Sequence, residues 1–141
     1  MSAEHTHKFK KLLTSKGYRV TQARLETFKL LHKPEPQTIK SILEAAQGTV
    51  DKVSVYRNLD LFEKLGLIHR VQIGWKYKLE LSDEFLDHHH HLSCLKCGRV
   101  IDIEDEKHIE HFIAEVSKHY GFVAKQHQFE VSGYCRECKY L

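Results

Sequence analysis

The chain has 141 residues, enough for one domain or two small ones, and its 41% hydrophobic and 29% charged residues are ordinary for a globular protein. No apolar run approaches the roughly 18 residues that a membrane-spanning helix needs, and the N-terminal segment MSAEHTHKFKKLL lacks the apolar stretch of a signal peptide. We therefore expect a cytoplasmic protein, in which four cysteines in two close pairs favour metal binding over disulfide formation.

The net charge of +3 is distributed unevenly along the chain. Residues 1–82 carry 15 Lys and Arg against 8 Asp and Glu, a net charge of +7, whereas residues 83–141 carry 7 against 11, a net charge of −4. A basic front half and an acidic, histidine-rich back half predict two separate functions. The first is contact with a polyanion and the second is binding of cations.

Three predicted helices come first along the chain. The apolar face of the first helix includes Phe9, and Gly17 ends the helix. Thr21 is the predicted N-cap of the second helix, which the segment KPEP at residues 33–36 ends. The third helix is predicted from Thr38 to Ala46.

The fourth predicted helix begins near Asp51 or Val53. Apolar residues recur along it at helical spacing and are expected to face inward: Val55, Leu59 and Phe62. The polar residues expected on the opposite, outward side are Ser54, Arg57 and Asn58. The segments LIHRVQI and KYKLEL then flank a Gly-Trp pair and predict a β-hairpin. Helices followed by a hairpin in this order are typical of a winged helix-turn-helix, which we assign to residues 1–82.

A short polar segment, residues 83–87, is the predicted hinge to a second domain at residues 88–141. In that domain we predict a strand at residues 99–103, a helix from Glu106 to His119, and one or two strands within residues 122–134. The apolar residues expected to form the buried side of the helix are Ile109, Phe112, Ile113 and Val116.

Two CxxC pairs, Cys94 with Cys97 and Cys135 with Cys138, are separated by 37 residues. Each pair lets two thiolates face one ion, and two pairs complete a tetrahedral shell of four sulfurs, which suits zinc. Such a metal would link the first strand of the second domain to its C-terminal end and help a thin core to fold. The alternatives are a thioredoxin-like redox pair, for which no βαβ unit is present, and unconnected buried cysteines.

Four consecutive histidines, His88 to His91, precede the first cysteine pair. In a strand, His89 and His91 would face one side and His88 and His90 the other, so two metal sites back to back are possible. Further donors for these sites are available at His69, Glu80, Asp102, Glu110 and His127. Mixed histidine and carboxylate shells bind zinc, iron(II) or manganese and exchange more readily than four-sulfur sites, as a sensor requires.

Two simpler interpretations of the histidine run fit the sequence less well. A purification tag would stand at a terminus, whereas this run is internal, and a solvated polar loop would not need the strand alternation. The histidines expected to be solvated and without a clear partner are His5, His7, His108, His111 and His119.

Four segments together resemble the ferric-uptake-regulator superfamily of dimeric, metal-dependent bacterial repressors. They are GYRVTQAR at 17–24, VSVYRNLDLFEKLGLIHRV at 53–71, HHHHLSCLKCGRVIDIED at 88–105 and the closing CREC. The resemblance covers nearly the whole chain. It implies an α+β protein with an N-terminal winged helix-turn-helix and a C-terminal α/β dimerisation domain stapled by a four-cysteine zinc. It also implies a homodimeric repressor that binds palindromic AT-rich double-stranded DNA and controls metal-homeostasis genes.

The resemblance also implies roles for individual residues. The DNA contacts are Arg19 in the minor groove and, on the fourth helix, Ser54, Tyr56 and Arg57. The ligands of the structural zinc are Cys94, Cys97, Cys135 and Cys138. The ligands of the regulatory metal are His69, Glu80, His89, His91 and Asp102. The ligands of an additional metal are His88, His90, Glu110 and His127.

The sensed metal is open at this point. Pro36 stands where iron- and peroxide-sensing members usually have a histidine, whereas His69 matches a histidine of zinc-sensing members. A four-coordinate shell suits zinc, which is slightly favoured as the sensed metal; its members would be His69, Glu80, His89 and His91. The alternative is a regulator that senses iron(II), manganese or peroxide, with Asp102 expanding the shell or His32 replacing the missing ligand.

Two other classes of function compete with a repressor. A zinc held by histidine and glutamate could activate water in an enzyme, but no HExxH or other hydrolase spacing is present. A metal-storage protein or metallochaperone would explain the histidines and cysteines but would leave the winged-helix pattern and the basic half without a function.

Overall fold

The structure is a computed structural model that describes residues 2–104 and 107–140. Its elements in chain order are α1 (Ala3–Ser15), α2 (Gln22–Leu30), α3 (Ile39–Ala46), α4 (Lys52–Lys64), β1 (Ile68–Ile73), β2 (Lys76–Leu81), β3 (His89–Cys94), β4 (Val100–Glu104), α5 (Lys107–His119) and β5 (Glu130–Gly133). Among these residues, none of the helices has both the length and the apolar character to cross a membrane.

The chain divides into two compact units. The first unit is Met1–Val71 with Tyr77–Leu86, and the second unit is Gln72–Lys76 with Asp87–Leu141. The first unit holds the four N-terminal helices, and the second holds β3, β4, α5 and β5. The predicted order of helices followed by a hairpin is confirmed, because β1 pairs with β2 in a two-stranded sheet.

Aromatic stacking forms the centre of the first unit. The ring of Phe9 stacks on Phe28 with centroids 4.1 Å apart, and Phe62 meets Phe9 edge-on at 5.4 Å. Full burial of each ring contributes about 2 kcal/mol from the hydrophobic effect. The buried apolar residues of this core are Phe9, Leu13, Phe28, Leu31, Ile42, Ala46, Val55, Leu59, Phe62, Leu67, Ile68, Leu79, Leu81 and Phe85.

Helix α4 follows the predicted pattern with one exception. Its N-cap is Asp51, whose side chain accepts a hydrogen bond from the backbone N–H of Ser54. The expected outward position of Asn58 is wrong, because Asn58 is only 7% exposed. Its Nδ2 donates to Thr27 Oγ1 at 3.0 Å, and Thr27 Oγ1 donates to the carbonyl of Ala23 at 2.7 Å. Position 58 lies three residues after Val55 and so belongs to the inward face, where its amide is satisfied by hydrogen bonds.

The second unit is built on a three-stranded sheet in the order β4-β3-β5. Strand β3 is antiparallel to β4 and parallel to β5. One strand, β5, forms in the segment 122–134, for which one or two strands were predicted. The predicted strand at 99–103 corresponds to β4 at Val100–Glu104.

Helix α5 differs from expectation in what its apolar side contacts. Its predicted first residue, Glu106, lies outside the described residues, and none of its described residues is buried. Phe112 is 64% exposed and Val116 is 39% exposed, so the expected buried stripe is wrong for the single chain. The helical periodicity is present, but the described residues of the second unit supply no apolar layer to cover it. Other large apolar side chains exposed in this unit include Ile101, Phe122, Val123, Phe129, Val131 and Tyr134.

Candidate functional site

The four cysteines converge at one end of β3. Their sulfur atoms all lie within 4.8 Å of one another, and Cys97 Sγ is 3.8 Å from Cys135 Sγ. A tetrahedral zinc with bonds of about 2.3 Å places its sulfur ligands about 3.8 Å apart, so the cluster has the dimensions that zinc needs. All four thiols are free of disulfide bonds. The set could therefore staple the second unit through one zinc ion.

Backbone N–H groups stabilise the thiolate form of one cysteine of this cluster. The N–H groups of Cys97 and Cys135 donate to Cys94 Sγ at 3.5 and 3.4 Å, and they lower the pKa of the Cys94 thiol to about 6. The thiolate is the form that binds metal. Burial raises the pKa of Cys138 to about 12, and its neighbouring thiols add to that increase. A cation in the cluster would stabilise the thiolate form of both.

A second group of donors lies around the carboxylate of Glu110. One oxygen, Glu110 Oε1, is 2.9 Å from His88 Nε2, 3.0 Å from His90 Nε2 and 3.0 Å from His127 Nε2. Burial acts to raise the pKa of Glu110, but hydrogen bonds from His90, His127 and His88 outweigh it and hold the pKa below its usual value. Three imidazoles and one carboxylate form a donor set that suits zinc and other divalent transition metals.

The opposite face of β3 carries a third group of donors within the second unit. The rings of His89 and His91 lie 4.7 Å apart, centroid to centroid. His91 Nε2 is 3.7 Å from Asp102 Oδ1, and His91 Nδ1 is 3.5 Å from Glu130 Oε1. His89 donates its Nδ1–H to the carbonyl of Asp87 at 2.7 Å, which leaves Nε2 as the nitrogen with a lone pair.

The remaining two candidates for the regulatory metal are partners within the hairpin of the first unit. His69 Nε2 lies 2.8 Å from Glu80 Oε1, and Glu80 is buried. The five candidates therefore belong to the two units: the group of His69 and Glu80 to the first unit, and the group of His89, His91 and Asp102 to the second. That one ion draws its ligands from both groups remains a prediction.

The candidate DNA contacts on α4 lie at its exposed side. Tyr56 and Arg57 are both exposed. Ser54 is partly buried, and its hydroxyl donates to Asp51 Oδ1 at 2.7 Å, so this side chain also belongs to the N-cap of the helix. Two exposed side chains on one helix face can reach base edges in a major groove.

Arg19, the candidate minor-groove contact, lies just before α2 and is exposed. Its carbonyl accepts a hydrogen bond of 2.7 Å from Arg24 Nη1, and the Arg24 guanidinium lies 5.7 Å from the centre of the Tyr18 ring. These contacts fix the backbone at Arg19 and leave its side chain exposed.

The sequence model of the ferric uptake regulator family matches residues 15–132 of the chain. The chain belongs to the ferric uptake regulator family. It is 33% identical over 136 residues to a ferric uptake regulation protein of Vibrio anguillarum, an alignment that covers 90% of this chain and 89% of the relative. The fold is similar to that of the Helicobacter pylori ferric uptake regulator Fur, with a TM-score of 0.78, 24% identity and coverage of 99% of this chain and 95% of the other. A zinc-bound manganese uptake regulator is also similar, with a TM-score of 0.63, 26% identity and coverage of 91% and 98%.

Membership of the ferric uptake regulator family confirms the resemblance that the sequence motifs indicated. Proteins of this family are dimeric DNA-binding transcription regulators and not enzymes, so the enzymatic alternative is excluded. The chain is a metal-responsive regulator of this family with an α+β fold. Proteins similar to this chain are named both for ferric uptake and for manganese uptake.

The contacts of three titratable side chains, Glu130, His5 and His111, were not predicted from the sequence. Glu130 lies beside His91, but only the parallel register of β5 with β3 brings residues 91 and 130 together, and the spacing of residues along the chain does not encode that register. His5 and His111 were expected to lack a partner, and this is wrong. His5 Nδ1 is 3.3 Å from His32 Nε2, and His111 Nε2 is 3.2 Å from Glu115 Oε1. The helical pattern of α1 does not indicate that His5 contacts His32, which lies just after α2.

Proposed function

We propose that the chain is a homodimeric repressor that binds palindromic AT-rich DNA when a divalent metal occupies its regulatory site, and that it thereby controls metal-homeostasis genes. The observation that supports this most directly is the arrangement of donors around β3. A four-sulfur cluster lies at one end of the strand, and mixed histidine and carboxylate groups lie on its two faces. This role belongs in the cytoplasm, where the DNA is.

The two kinds of donor set suit two different roles. We propose that Zn²⁺ in the cysteine cluster is structural, because four thiolates form a closed shell that leaves no open position for exchange or chemistry. Its binding energy contributes to folding of the second unit. The ligands proposed for this zinc are Cys94, Cys97, Cys135 and Cys138.

The regulatory metal is proposed to bind donors that exchange more readily. Its proposed ligands are His69, Glu80, His89, His91 and Asp102. A second, additional site is proposed at His88, His90, Glu110 and His127. Occupancy of the regulatory site would stabilise the arrangement of the dimer that fits its operator. Without metal that arrangement would be a minor fraction of the population, and the apparent affinity for DNA would fall by that fraction.

Zn²⁺ competes with Fe²⁺ or Mn²⁺ for the regulatory role. The four donors His69, Glu80, His89 and His91 suit tetrahedral Zn²⁺, whereas participation of Asp102 would favour the higher coordination numbers of Fe²⁺ or Mn²⁺. The names of the curated relatives, ferric uptake regulation proteins, support Fe²⁺. Zinc sensing is the first proposal from the donor set, and iron(II) sensing is the alternative that the relatives favour.

DNA binding is proposed to use the exposed side of α4 and the segment before α2. Arg57 can bond guanine in a bidentate manner and Tyr56 can press on thymine methyl groups in the major groove. Ser54 lies at the start of the same helix, and Arg19 would enter the neighbouring minor groove. The net charge of +7 over residues 1–82 supplies attraction to phosphates and a steep salt dependence.

A titration of DNA binding with separate metals tests this function. The purified protein, with its cysteine cluster loaded with zinc, is titrated anaerobically with Zn²⁺, Fe²⁺ and Mn²⁺ while fluorescence anisotropy reports binding to a palindromic AT-rich duplex and to a random duplex. We expect one metal to strengthen binding to the palindrome by about tenfold or more, within the usual range of allosteric coupling. Equally tight binding with and without added metal would reject the proposal.

A further inference from the structure

Glu130 completes a row of three side chains across the sheet of the second unit. Strand β3 is the central strand, and His91 is paired in register with Asp102 on β4 and with Glu130 on β5. Residues paired across neighbouring strands point to the same face of a sheet. His91 therefore lies between two carboxylates, one on each neighbouring strand.

The two carboxylates meet different nitrogens of the same imidazole. Asp102 Oδ1 is 3.7 Å from Nε2 of His91, whereas Glu130 Oε1 is 3.5 Å from Nδ1. The His91 side chain is 3% exposed and the Glu130 side chain 17%, so water screens this contact weakly. An imidazole binds a metal through one nitrogen, and its other N–H is commonly donated to a carboxylate that fixes the tautomer and the ring orientation.

A second contact holds the Glu130 carboxylate in place. The backbone N–H of Gln72 donates to Glu130 Oε2 at 3.2 Å. Gln72 belongs to β1 and to the hairpin segment Gln72–Lys76, which is part of the second unit. Since one oxygen of Glu130 is anchored on a backbone amide, the other is presented to His91 in a defined position.

We propose that Glu130 is a positioning residue of the regulatory metal site, which holds His91 with its proton on Nδ1 and so leaves Nε2 to bind the metal. The proposal rests on the proposed function, in which His91 is a ligand. Glu130 lies across the imidazole ring from Asp102, so it acts through His91 and does not itself bind the ion. Its anchor on Gln72 also ties the orientation of His91 to the segment Gln72–Lys76 of the same unit.

The tautomer of His91 can be measured before any regulatory metal is added. Long-range proton–nitrogen NMR spectra of the protein with only its cysteine cluster loaded report which nitrogen of each imidazole carries the proton, and loss of signals in His91→Gln assigns His91. In the wild type we expect the proton on Nδ1. In Glu130→Gln, which keeps the shape but removes the charge, we expect a mixture of tautomers. An identical tautomer in wild type and variant would overturn the proposal.

Metal affinity gives the second measurement. Titration with Co²⁺, followed by its visible absorption, is expected to show affinity about 10- to 100-fold weaker in Glu130→Gln, the usual effect of losing such an outer partner. The shape of the absorption spectrum at saturation should not change, because the ligands are the same. Glu130→Asp, which keeps the carboxylate on a shorter side chain, should restore part of the affinity.

A matched control is available on α5. Glu115 Oε1 lies 3.2 Å from His111 Nε2, but both side chains are exposed, so Glu115→Gln should bind Co²⁺ like the wild type. Equal Co²⁺ affinity of wild type and Glu130→Gln would overturn the positioning role alone, as would a changed spectrum, which would make Glu130 a ligand. Failure of the wild type to bind a second metal would overturn the proposed function, and the role of Glu130 with it.

Discussion

At the scale of single residues, Asn58 joins two helices through a chain of buried hydrogen bonds. Its amide donates to Thr27 Oγ1, and that hydroxyl donates in turn to the carbonyl of Ala23. Thr27 is fully buried and Asn58 nearly so, which means that neither group can exchange its partner for water. A buried polar group that loses its partner keeps its desolvation cost.

Replacing Asn58 with alanine should therefore destabilise the first unit. We expect Asn58→Ala to lower the free energy of unfolding by about 1–3 kcal/mol, because Thr27 Oγ1 loses its donor. Urea unfolding followed by circular dichroism measures the change. Asp60→Ala, at an exposed position of the same helix, is the control and should change stability by less than about 0.5 kcal/mol. Equal effects of the two substitutions would contradict the buried role of Asn58.

His32 gives the first unit a dependence on pH. Burial lowers the pKa of His32 below its usual value of 6.5, more than the hydrogen bond to the carbonyl of Phe28 raises it, and the neighbouring His5 lowers it further. As pH falls through 6.5, the unfolded chain binds a proton at this position before the folded chain does. The stabilisation is therefore complete above pH 6.5 and is lost as pH falls toward the lowered pKa.

The part of the pH dependence that comes from His32 should disappear when His32 is replaced. Between pH 7.5 and 5.5, the midpoint of urea unfolding should fall further in the wild type than in His32→Gln. The control His119→Gln removes an exposed histidine and should retain the wild-type dependence. Parallel curves for the wild type and His32→Gln would show that the buried histidine is not responsible.

At the scale of elements, the sequence predicts helix starts well and the surroundings of a helix poorly. Thr21, Thr38 and Asp51 each accept a backbone N–H three residues ahead, a local interaction that the sequence pattern contains. The apolar periodicity of α5 is equally local, but the layer expected to cover Phe112 is not in the described chain. Strand register is a long-range property, so the convergence of His91 and Glu130 could not be predicted from spacing.

The same distinction applies to the metal sites. Two CxxC pairs predicted one cluster because each pair already positions two sulfurs, and the structure brings all four together. The alternation of His88 to His91 along an extended strand likewise separates two donor groups onto two faces. Which carboxylates join each group depends on how the neighbouring elements pack, as the position of Glu110 on α5 shows.

Removal of metal from the cysteine cluster should unfold the second unit selectively. Among the described residues of the second unit, the buried apolar cluster consists of Cys94, Cys135 and Cys138. Metal binding therefore supplies much of the stability that an apolar core would otherwise give. After chelation we expect amide hydrogens of β3, β4 and β5 to lose protection from exchange while those of α1 to α4 keep it. Addition of Zn²⁺ should restore protection. Unchanged protection in a protein shown to be free of metal would contradict a structural role for zinc.

At the scale of the whole molecule, uncovered apolar side chains of the second unit support a homodimer. Phe112 and Val116 on α5, Ile101 on β4 and Val131 on β5 are all exposed in the single chain. The two strands are also edges of the three-stranded sheet. A second copy of the chain would remove this apolar surface from water.

Polar substitutions on α5 test this proposed interface. The double variant Phe112→Ser with Val116→Ser should shift the protein from dimer to monomer, because burial of these side chains favours association. Analytical ultracentrifugation measures the shift. Trp75→Ser replaces a fully exposed aromatic residue of the hairpin and should leave the dimer intact. A stable dimer of the double variant would place the interface elsewhere.

The measurement that tests the regulatory account most directly is the operator affinity of a His89→Ala, His91→Ala variant with and without the activating metal. The control is His111→Ala, which removes an exposed histidine, and all proteins carry zinc in the cysteine cluster. We expect metal to strengthen binding by the wild type and the control about tenfold or more, and the double variant to bind with the affinity of the metal-free wild type under both conditions. Retention of the wild-type response to metal by the double variant would contradict the account.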